Sequence, residues 1–445
     1  MTKKIIKLLL ITSSIIFLVI FYLSIVGIKT DKFNSQISNN ILKINKKINL
    51  NLGDVNYLLN PYNFTVNINT KNPQIRLKGR NLNIKSIKTN VALKALINDQ
   101  FLIDDLKITT KEIKLNDIIA LTRLIKNSTR LFILDTIIKN GVVVANIDLS
   151  FDEKGLIKEN YKIEGSVTRT KLNILNQLRL DNLNFKFKIK KNMYSLNQIN
   201  TQLNDIKISS PLVEIEKNKN SFFVNGQILN EEKIFDISEP KPVFVNLFND
   251  LDIKKIELRS KNNFSFNINK NFKFNNLKVE SAINLDQLII DKKNLKIKPY
   301  LPSFIDKIKL EEHKIVINYN KNKFNIEGNG NVLLEDKLDN LSYKILKDNN
   351  NILFDAKIFL KNNSLQIDFL DYKKKKNIES LISIKGNYKK DNKLKIDFIN
   401  LKEMNNEISI KGLNLNKDFK IVDIKNINFK YKNNKDIINN LNIKK

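Results

Sequence analysis

Apolar and polar residues alternate along most of this chain, and the alternation limits its fold more than any other feature. Phe264, Phe266 and Ile268, for example, are separated by Ser265 and Asn267. A period of two places the apolar side chains on one face of a β-strand. Residues that favour turns separate such segments every ~8–14 residues. The pattern therefore predicts a mainly β fold of many antiparallel strands, each with one apolar face.

The N-terminal segment differs because it contains a long apolar run. No charged residue occurs from Leu8 to Ile28, and a helix of that length crosses a ~30 Å hydrocarbon core. The run exceeds the ~7–15 residues of a signal-peptide core and lacks an Ala-x-Ala cleavage site, since the first alanine is Ala92. The sequence therefore predicts a retained transmembrane helix in residues 1–29. Its representative anchor residues are Leu8, Ile16, Phe21 and Ile28.

Basic residues on both sides of the run bear on its orientation. Lys3, Lys4 and Lys7 precede it, and Lys29 and Lys32 follow it. Basic residues tend to stay on the cytoplasmic side, whereas a long following domain can cross a membrane regardless of its charge. We therefore expect a cytoplasmic N-terminus and export of the chain from about residue 30 onward.

Three segments have helical rather than strand spacing. From Phe33 to Lys47, apolar residues recur every three or four positions, as on one face of an amphipathic helix. Shorter helices are predicted from Asn116 to Ile125 and from Leu131 to Lys139, with Gly141 just beyond the second one.

Proline pairs mark the best candidates for joints between subdomains. Pro240 and Pro242 precede a segment that reads as a short helix or lip, and Pro299 and Pro302 flank Tyr300. The resulting division is an anchor (1–29), an N-terminal β-domain with short amphipathic helices (30–235), a β region with proline-flanked loops or short helices (236–310) and a C-terminal strand array (311–445).

The apolar face of such a sheet must be hidden from water, and the predicted helices are too few to cover it. The sheet can therefore curl into an elongated apolar groove, or it can pack as ordinary β-sandwiches; patterning alone leaves both open. In the first case the groove is a conduit for acyl chains. The candidate groove residues are Phe64, Val66, Ile68, Phe185, Phe187, Phe264 and Phe266.

Residues that carry catalysis or bind metals are scarce. There is no cysteine, and His313 is the only histidine, so two-histidine and thiolate metal sites are excluded. The polar context of His313 predicts a surface position. Gly328 and Gly330 suggest a bulge or turn rather than a phosphate cradle, and Lys373–Lys376 suggests a solvated hairpin tip. The sequence therefore predicts no enzyme, no metal site and no cofactor.

The net charge of +31 has two interpretations. Nucleic-acid readers concentrate Arg and aromatic residues on one face, whereas here the basic residues are mostly Lys, spread along the chain, and Arg is sparse. We therefore expect solvated strand faces, some of which attract anionic lipid headgroups, and no nucleic-acid partner.

The order of elements resembles a known family. An N-terminal anchor leads into an amphipathic helix and then into the phrases NPQIRLKGRNLNIKSI (Asn72–Ile87) and FLIDDLKITTKEIKLNDI (Phe101–Ile118). This arrangement is similar to the AsmA-like proteins of the bacterial envelope, relatives of the TamB-type proteins, and it is clearest from residue 1 to about 230. The resemblance implies an inner-membrane anchor, an elongated periplasmic β-structure with an apolar groove, and a role in moving phospholipids and maintaining the outer membrane. The family has no motif of catalytic residues to transfer.

Two functions follow as expectations. The first is a protein of the bacterial inner membrane that binds or conducts phospholipid acyl chains in an apolar β-groove. The second is a structural adaptor that binds other envelope proteins through exposed strand edges and assists outer-membrane protein assembly without carrying lipid.

Overall fold

The protein is mainly β: 70% of its residues lie in strands in the computed structural model. Every strand pair whose register is described is antiparallel, for example β1 (Ile28–Thr30) with β3 (Val55–Asn60). The predicted fold class, with an N-terminal apolar helix and a few short helices, is confirmed. The structure describes residues 2–31, 34–35, 48–77, 80–93, 103–125, 129–152, 157–174, 178–204, 206–231, 234–235, 252–269, 273–291, 298–304, 307–349, 351–389, 393–416 and 420–445.

The apolar N-terminal run forms helix α1, Thr2–Ile25. An 18-residue stretch within residues 3–25 has a mean hydropathy of 2.6 and contains no residue that is buried in the protein, so the helix is long and apolar enough to cross a membrane. Gly27, at φ +72°, ends the helix in a left-handed conformation, which glycine adopts without steric cost. The helix thus ends before the apolar run does, and Ile28, predicted as an anchor residue of the helix, lies in strand β1 instead.

Two of the three predicted helical segments fall among the described residues, and both are confirmed. They form α2 (Leu115–Ile125) and α3 (Thr129–Ile137), and a 3₁₀ turn follows at Asp368–Leu370. Nearly all of the third segment, 33–47, lies outside the described residues. The segment after Pro240 and Pro242, up to residue 251, also lies outside the described residues.

Contacts divide the chain into two units, one of residues 1–203 with 214–217, the other of residues 204–213 with 218–445. This assignment divides strand β13 (Ile206–Lys217). The finer division at residues 29, 235 and 310 stays a prediction.

Unit 1 is an antiparallel ladder in the order β1-β3-β4-β6-β7-β9-β10-β11-β12. It has two small cores; one contains Val55, Val66 and Val91, and the other contains Ile113 and Val143. Besides β1 and β3, its strands are β2 (Ile48–Asn51), β4 (Thr65–Lys71), β5 (Gln74–Leu77), β6 (Arg80–Ala92), β7 (Ile103–Thr110), β8 (Ile113–Lys114), β9 (Ile138–Ser150), β10 (Lys162–Ile174), β11 (Leu178–Lys190) and β12 (Met193–Leu203).

Unit 2 contains a longer ladder, in the order β14-β16-β17-β18-β19-β20-β21-β24-β25-β26-β28-β29. A separate two-stranded sheet, β22-β23, connects β21 to β24. The strands are β14 (Ser221–Asn230), β15 (Ile234–Phe235), β16 (Asp252–Asn269), β17 (Phe274–Asp291), β18 (Lys307–Asn320), β19 (Lys323–Leu333), β20 (Leu338–Asp348), β21 (Asn351–Leu360), β22 (Leu365–Ile367), β23 (Tyr372–Lys374), β24 (Ser380–Lys389), β25 (Lys393–Glu403), β26 (Asn406–Leu415), β27 (Ile421–Asp423), β28 (Asn426–Lys432) and β29 (Ile438–Lys444).

Candidate functional site

The sheet of unit 2 presents matched apolar side chains on one face. Strand registers align one such row from β17 to β28, and its side chains are mostly half-buried. Because successive residues of a strand point to opposite faces, every second residue on either side of the row faces the same way as far as the next β-bulge. This is the apolar face that the alternation predicts. The row consists of Ile283, Ile315, Gly328, Tyr343, Ala356, Ile384, Ile399, Ile410 and Ile427.

A connection folds back over one end of this face. Residues 361–379, which we call the cover, link β21 to β24 and include the β22-β23 hairpin. Leu365 and Tyr372 of the cover are buried against Leu401 and Phe429 of the sheet, and the Tyr372 ring meets the Tyr431 ring edge-on at 5.8 Å. The cover therefore hides the apolar face at this end, where it makes the main core of unit 2.

Hydrogen bonds to Asp339 hold the first residues of the cover in place. Its buried carboxylate accepts hydrogen bonds from the backbone N–H groups of Lys361 (2.8 Å), Asn362 (2.8 Å) and Asn363 (3.1 Å), and from Asn363 Nδ2 (2.7 Å). Hydrogen bonds to a charged acceptor are about twice as strong as neutral ones. One side chain thus fixes the bend at which the chain leaves β21.

Lys374, the last residue of strand β23 in the cover, is fully buried. Its Nζ donates to the carbonyl oxygens of Asn363 (2.7 Å), Lys361 (3.2 Å) and Lys375 (3.2 Å). Burial lowers its pKa, and the nearby carboxylates, Asp339 foremost, oppose that shift. The prediction of a solvated lysine run is therefore wrong at Lys374, although its three neighbours in the run are exposed. The buried ammonium thus has three carbonyl acceptors, and one of them, the Lys361 carbonyl, also accepts from the backbone N–H of Asn377 (2.8 Å).

A tyrosine–glutamate pair holds the end of the hairpin. The buried Tyr372 hydroxyl donates to the Glu403 carboxylate in β25. Burial and this carboxylate both raise the pKa of Tyr372, so the phenol stays protonated and keeps donating. The cover is thus joined to the sheet by polar contacts as well as by apolar packing.

At the opposite strand ends the apolar face has no such cover among the described residues, and aromatic side chains gather there. The rings of Phe264 and Phe266 stack at 5.8 Å, and Phe266 meets Phe274 at 5.3 Å. Farther along, the rings of Tyr319 and Phe324 lie 4.6 Å apart. We call these five residues the aromatic row. Phe274 is 66% exposed, so the row combines a large apolar surface with access from solvent.

The candidate groove residues of unit 1 have different surroundings. Val66 and Ile68 are buried in the first core and contribute to no open surface. Phe185 and Phe187 lie 6.5 Å apart and are half-buried against the second core. Phe64 lies in the turn before β4 rather than in a strand, because its φ of +50° is not extended. Of the seven candidates, Phe264 and Phe266 lie in the open aromatic row of unit 2.

His313 is buried, contrary to the predicted surface position. Its side chain lies on the apolar face because it follows the same alternation as Ile315 and Ile317. A β-bulge between Glu311 and Lys314, with Glu312 at φ +53°, adjoins it. Its Nε2 lies 3.0 Å from the Asn331 carbonyl oxygen, and burial lowers its pKa. A neutral imidazole in this position packs as a small aromatic ring rather than acting as an exposed base.

Gly328 and Gly330 explain how the rings fit. Both lie inside strand β19, not in the predicted turn or bulge, and the bulge is on the neighbouring strand. A Cβ on Gly328 would lie 2.3 Å from the Tyr343 ring, and one on Gly330 would lie 2.4 Å from the His313 ring. Two glycines in an otherwise regular strand signal such a close approach, and this was the sequence signal that could have located His313.

The opposite face of the same sheet carries mostly polar side chains, with a few exposed apolar ones such as Val316 and Phe359. A cleft of about 560 Å³ lies there, lined by Asn340, Phe359, Lys361 and Lys402 among others. Four of its lining residues, Asn340, Phe359, Leu381 and Lys402, lie in register on β20, β21, β24 and β25 and alternate with those of the apolar face. The lining is mixed, with Glu379 and Lys402 beside Leu338 and Leu381.

Within the described part of the chain, no group of three or more His, Asp or Glu side chains is placed to hold a metal ion. Comparisons with protein-family models, with curated proteins and with solved structures find no match to this chain.

Proposed function

We propose that this protein is a single-pass membrane protein that binds phospholipid acyl chains on the uncovered part of the apolar face of unit 2. The observation that carries the proposal is the aromatic row, which leaves Phe264, Phe266 and Phe274 accessible on a face that the cover hides at its other end. Contiguous apolar surface that remains exposed on a folded protein marks an interaction site. The proposed role is to bind or conduct phospholipid for outer-membrane lipid homeostasis.

The chemistry of the row suits a phospholipid. Each methylene removed from water contributes about 0.8 kcal/mol, so an acyl chain lying along these rings gains several kcal/mol. Lys347 provides a complementary charge, since its Nζ lies 5.9 Å from the centre of the Phe324 ring. An ammonium at the edge of an apolar surface can pair with a lipid phosphate.

The proposed location is the bacterial inner membrane, with a cytoplasmic N-terminus and the strands in the periplasm. Helix α1 supports single-pass anchoring, and Lys3, Lys4 and Lys7 support the orientation. The resemblance to AsmA-like proteins supports the compartment. Phospholipids are the proposed partners, with other envelope proteins as further candidates.

A photoreactive benzoylphenylalanine in place of Phe266 tests where lipid binds. We expect irradiation in cells to give a phospholipid adduct at position 266, because this side chain is part of the aromatic row. The matched control places the same group at Ser265, whose side chain points to the polar face of the same strand. Absence of an adduct at 266, or equal adducts at both positions, would contradict the proposal.

A second candidate function rests on strand β29. Among the described pairings it is bonded only to β28, and its Ile438 is 74% exposed. An exposed edge strand can add a strand from another protein. A stoichiometric protein partner that binds through β29, together with the absence of bound lipid, would favour the adaptor function.

A further inference from the structure

Helix α1 passes into the sheet of unit 1 without a linker. Ile28, three residues after the helix ends, already pairs with Tyr57 in β3, and α1 itself contacts β3. Gly27 permits this approach, because a Cβ there would lie 2.5 Å from the Tyr57 carbonyl oxygen. The orientation of α1 is therefore coupled directly to β3.

The strand register then places one turn beside the end of the helix. Strand β3 is antiparallel to β1, and Tyr57 pairs with Ile28. The residues that follow Tyr57 therefore continue beyond Gly27 in the direction of α1. The three residues from Leu58 to Asn60 cover roughly 10 Å, and the helix rises roughly 7.5 Å between Tyr22 and Gly27. The turn that follows β3, residues 61–64, thus lies near the level of Tyr22. We call it the aromatic turn.

Two aromatic side chains of this turn point into solvent. Tyr62 is 93% exposed and Phe64 is 72% exposed. The turn is nevertheless held firmly: Asn60 Oδ1 accepts from the N–H of Tyr62 at 3.1 Å, and the Phe64 carbonyl accepts from the N–H of Leu93 at 2.8 Å. An ordered turn therefore presents both rings outward, beside the last turn of α1.

Folding alone does not explain a phenylalanine at position 64. Its φ of +50° lies in the left-handed region, which glycine and asparagine adopt far more readily than a bulky aromatic residue. Its ring is not buried, so packing does not favour it either. Neither the backbone conformation nor burial in a core therefore favours phenylalanine at this position. We infer that the side chain contacts something outside unit 1.

We propose that the aromatic turn inserts Tyr62 and Phe64 into the headgroup region of the membrane that α1 enters. Aromatic residues concentrate at this depth of a bilayer, and α1 brings the turn to it. The membrane contacts of α1 and of the aromatic turn together fix the tilt of the unit 1 sheet relative to the bilayer. The inference rests on the transmembrane anchoring included in the proposed function, but not on lipid binding by unit 2.

The absence of tryptophan from the chain makes a clean test possible. The full-length protein with Tyr62→Trp is reconstituted into phosphatidylcholine–phosphatidylglycerol vesicles, with or without brominated acyl chains. We expect blue-shifted emission and strong bromine quenching at position 62, and the same at position 64 for Phe64→Trp. Both sites are exposed, so the fold should tolerate the substitutions.

Two single-tryptophan controls fix the interpretation. Phe132→Trp reports on α3, where the ring is 56% exposed. Helix α3 leads directly into the first residue of β9, whereas the last residue of β9 is level with the aromatic turn. The two ends of β9 are roughly 40 Å apart. Tyr22→Trp reports on α1 itself. Quenching at 22 and 62 but not at 132 supports the inference. Quenching at 62 no stronger than at 132, with 22 quenched, overturns it, and an unquenched 22 overturns both the inference and the anchoring on which it rests.

Discussion

Replacing Lys374 by methionine is expected to destabilise unit 2 by about 3–5 kcal/mol, which is the cost of removing one partner from a buried ionic network. Methionine retains most of the aliphatic chain but cannot donate to the three carbonyl oxygens that Nζ now contacts. It also leaves the buried Asp339 and Glu403 without their nearby cation. The cover should therefore detach or unfold.

Lys373→Met is the matched control, since the neighbouring lysine side chain is exposed and should change the free energy of unfolding by less than about 0.5 kcal/mol. Urea unfolding of both variants, with hydrogen exchange at the amides of Leu365 to Tyr372, measures the difference. Equal stability and equal exchange protection in the two variants would show that the buried ammonium does not hold the cover.

Placing aspartate at both Phe264 and Phe266 is expected to weaken phospholipid binding by about a hundredfold, corresponding to about 3 kcal/mol. The stacked pair offers the acyl chain two adjacent rings, and a carboxylate at each position must be desolvated before a chain can lie there. Because both side chains are only half-buried, the strand content should persist.

The control for this pair is Ser265→Asp, which adds a charge between the two positions but on the polar face. Phospholipid bound per chain is measured by extraction and mass spectrometry, and circular dichroism measures strand content. If the double variant binds as much lipid as Ser265→Asp while retaining its strands, the aromatic row is not the binding surface.

Periodicity predicted the strands well because each ladder pair buries one face, so a local pattern carries the information. The cover could not be found in this way. Leu365–Ile367 and Tyr372–Lys374 have the spacing of ordinary strands, and spacing does not indicate whether a hairpin extends the sheet or folds across its face. Lys374 was missed for the same reason, since only the tertiary fold distinguishes it from its exposed neighbours in the lysine run.

The errors at two single positions have different causes. Alternation with Val66 and Ile68 predicted a strand position for Phe64, but its positive φ places it in a turn. A polar sequence context predicted an exposed His313, but His313 follows the same alternation as Ile315 and Ile317 and therefore lies on the apolar face of the sheet. Of the candidate site, the sequence identified Phe264 and Phe266, because a stretch of regular alternation contains both residues.

The most direct test of the account counts the phospholipids that the full-length protein retains after detergent exchange, by native mass spectrometry with lipid extraction. Residues 1–29 fused to an unrelated soluble domain give the lipid held by the anchor alone. We expect the full-length chain to retain more phospholipid per molecule than this control, and the double aspartate variant to lose the excess. Equal retention by the full-length chain and the anchor control would contradict lipid binding and favour the adaptor function.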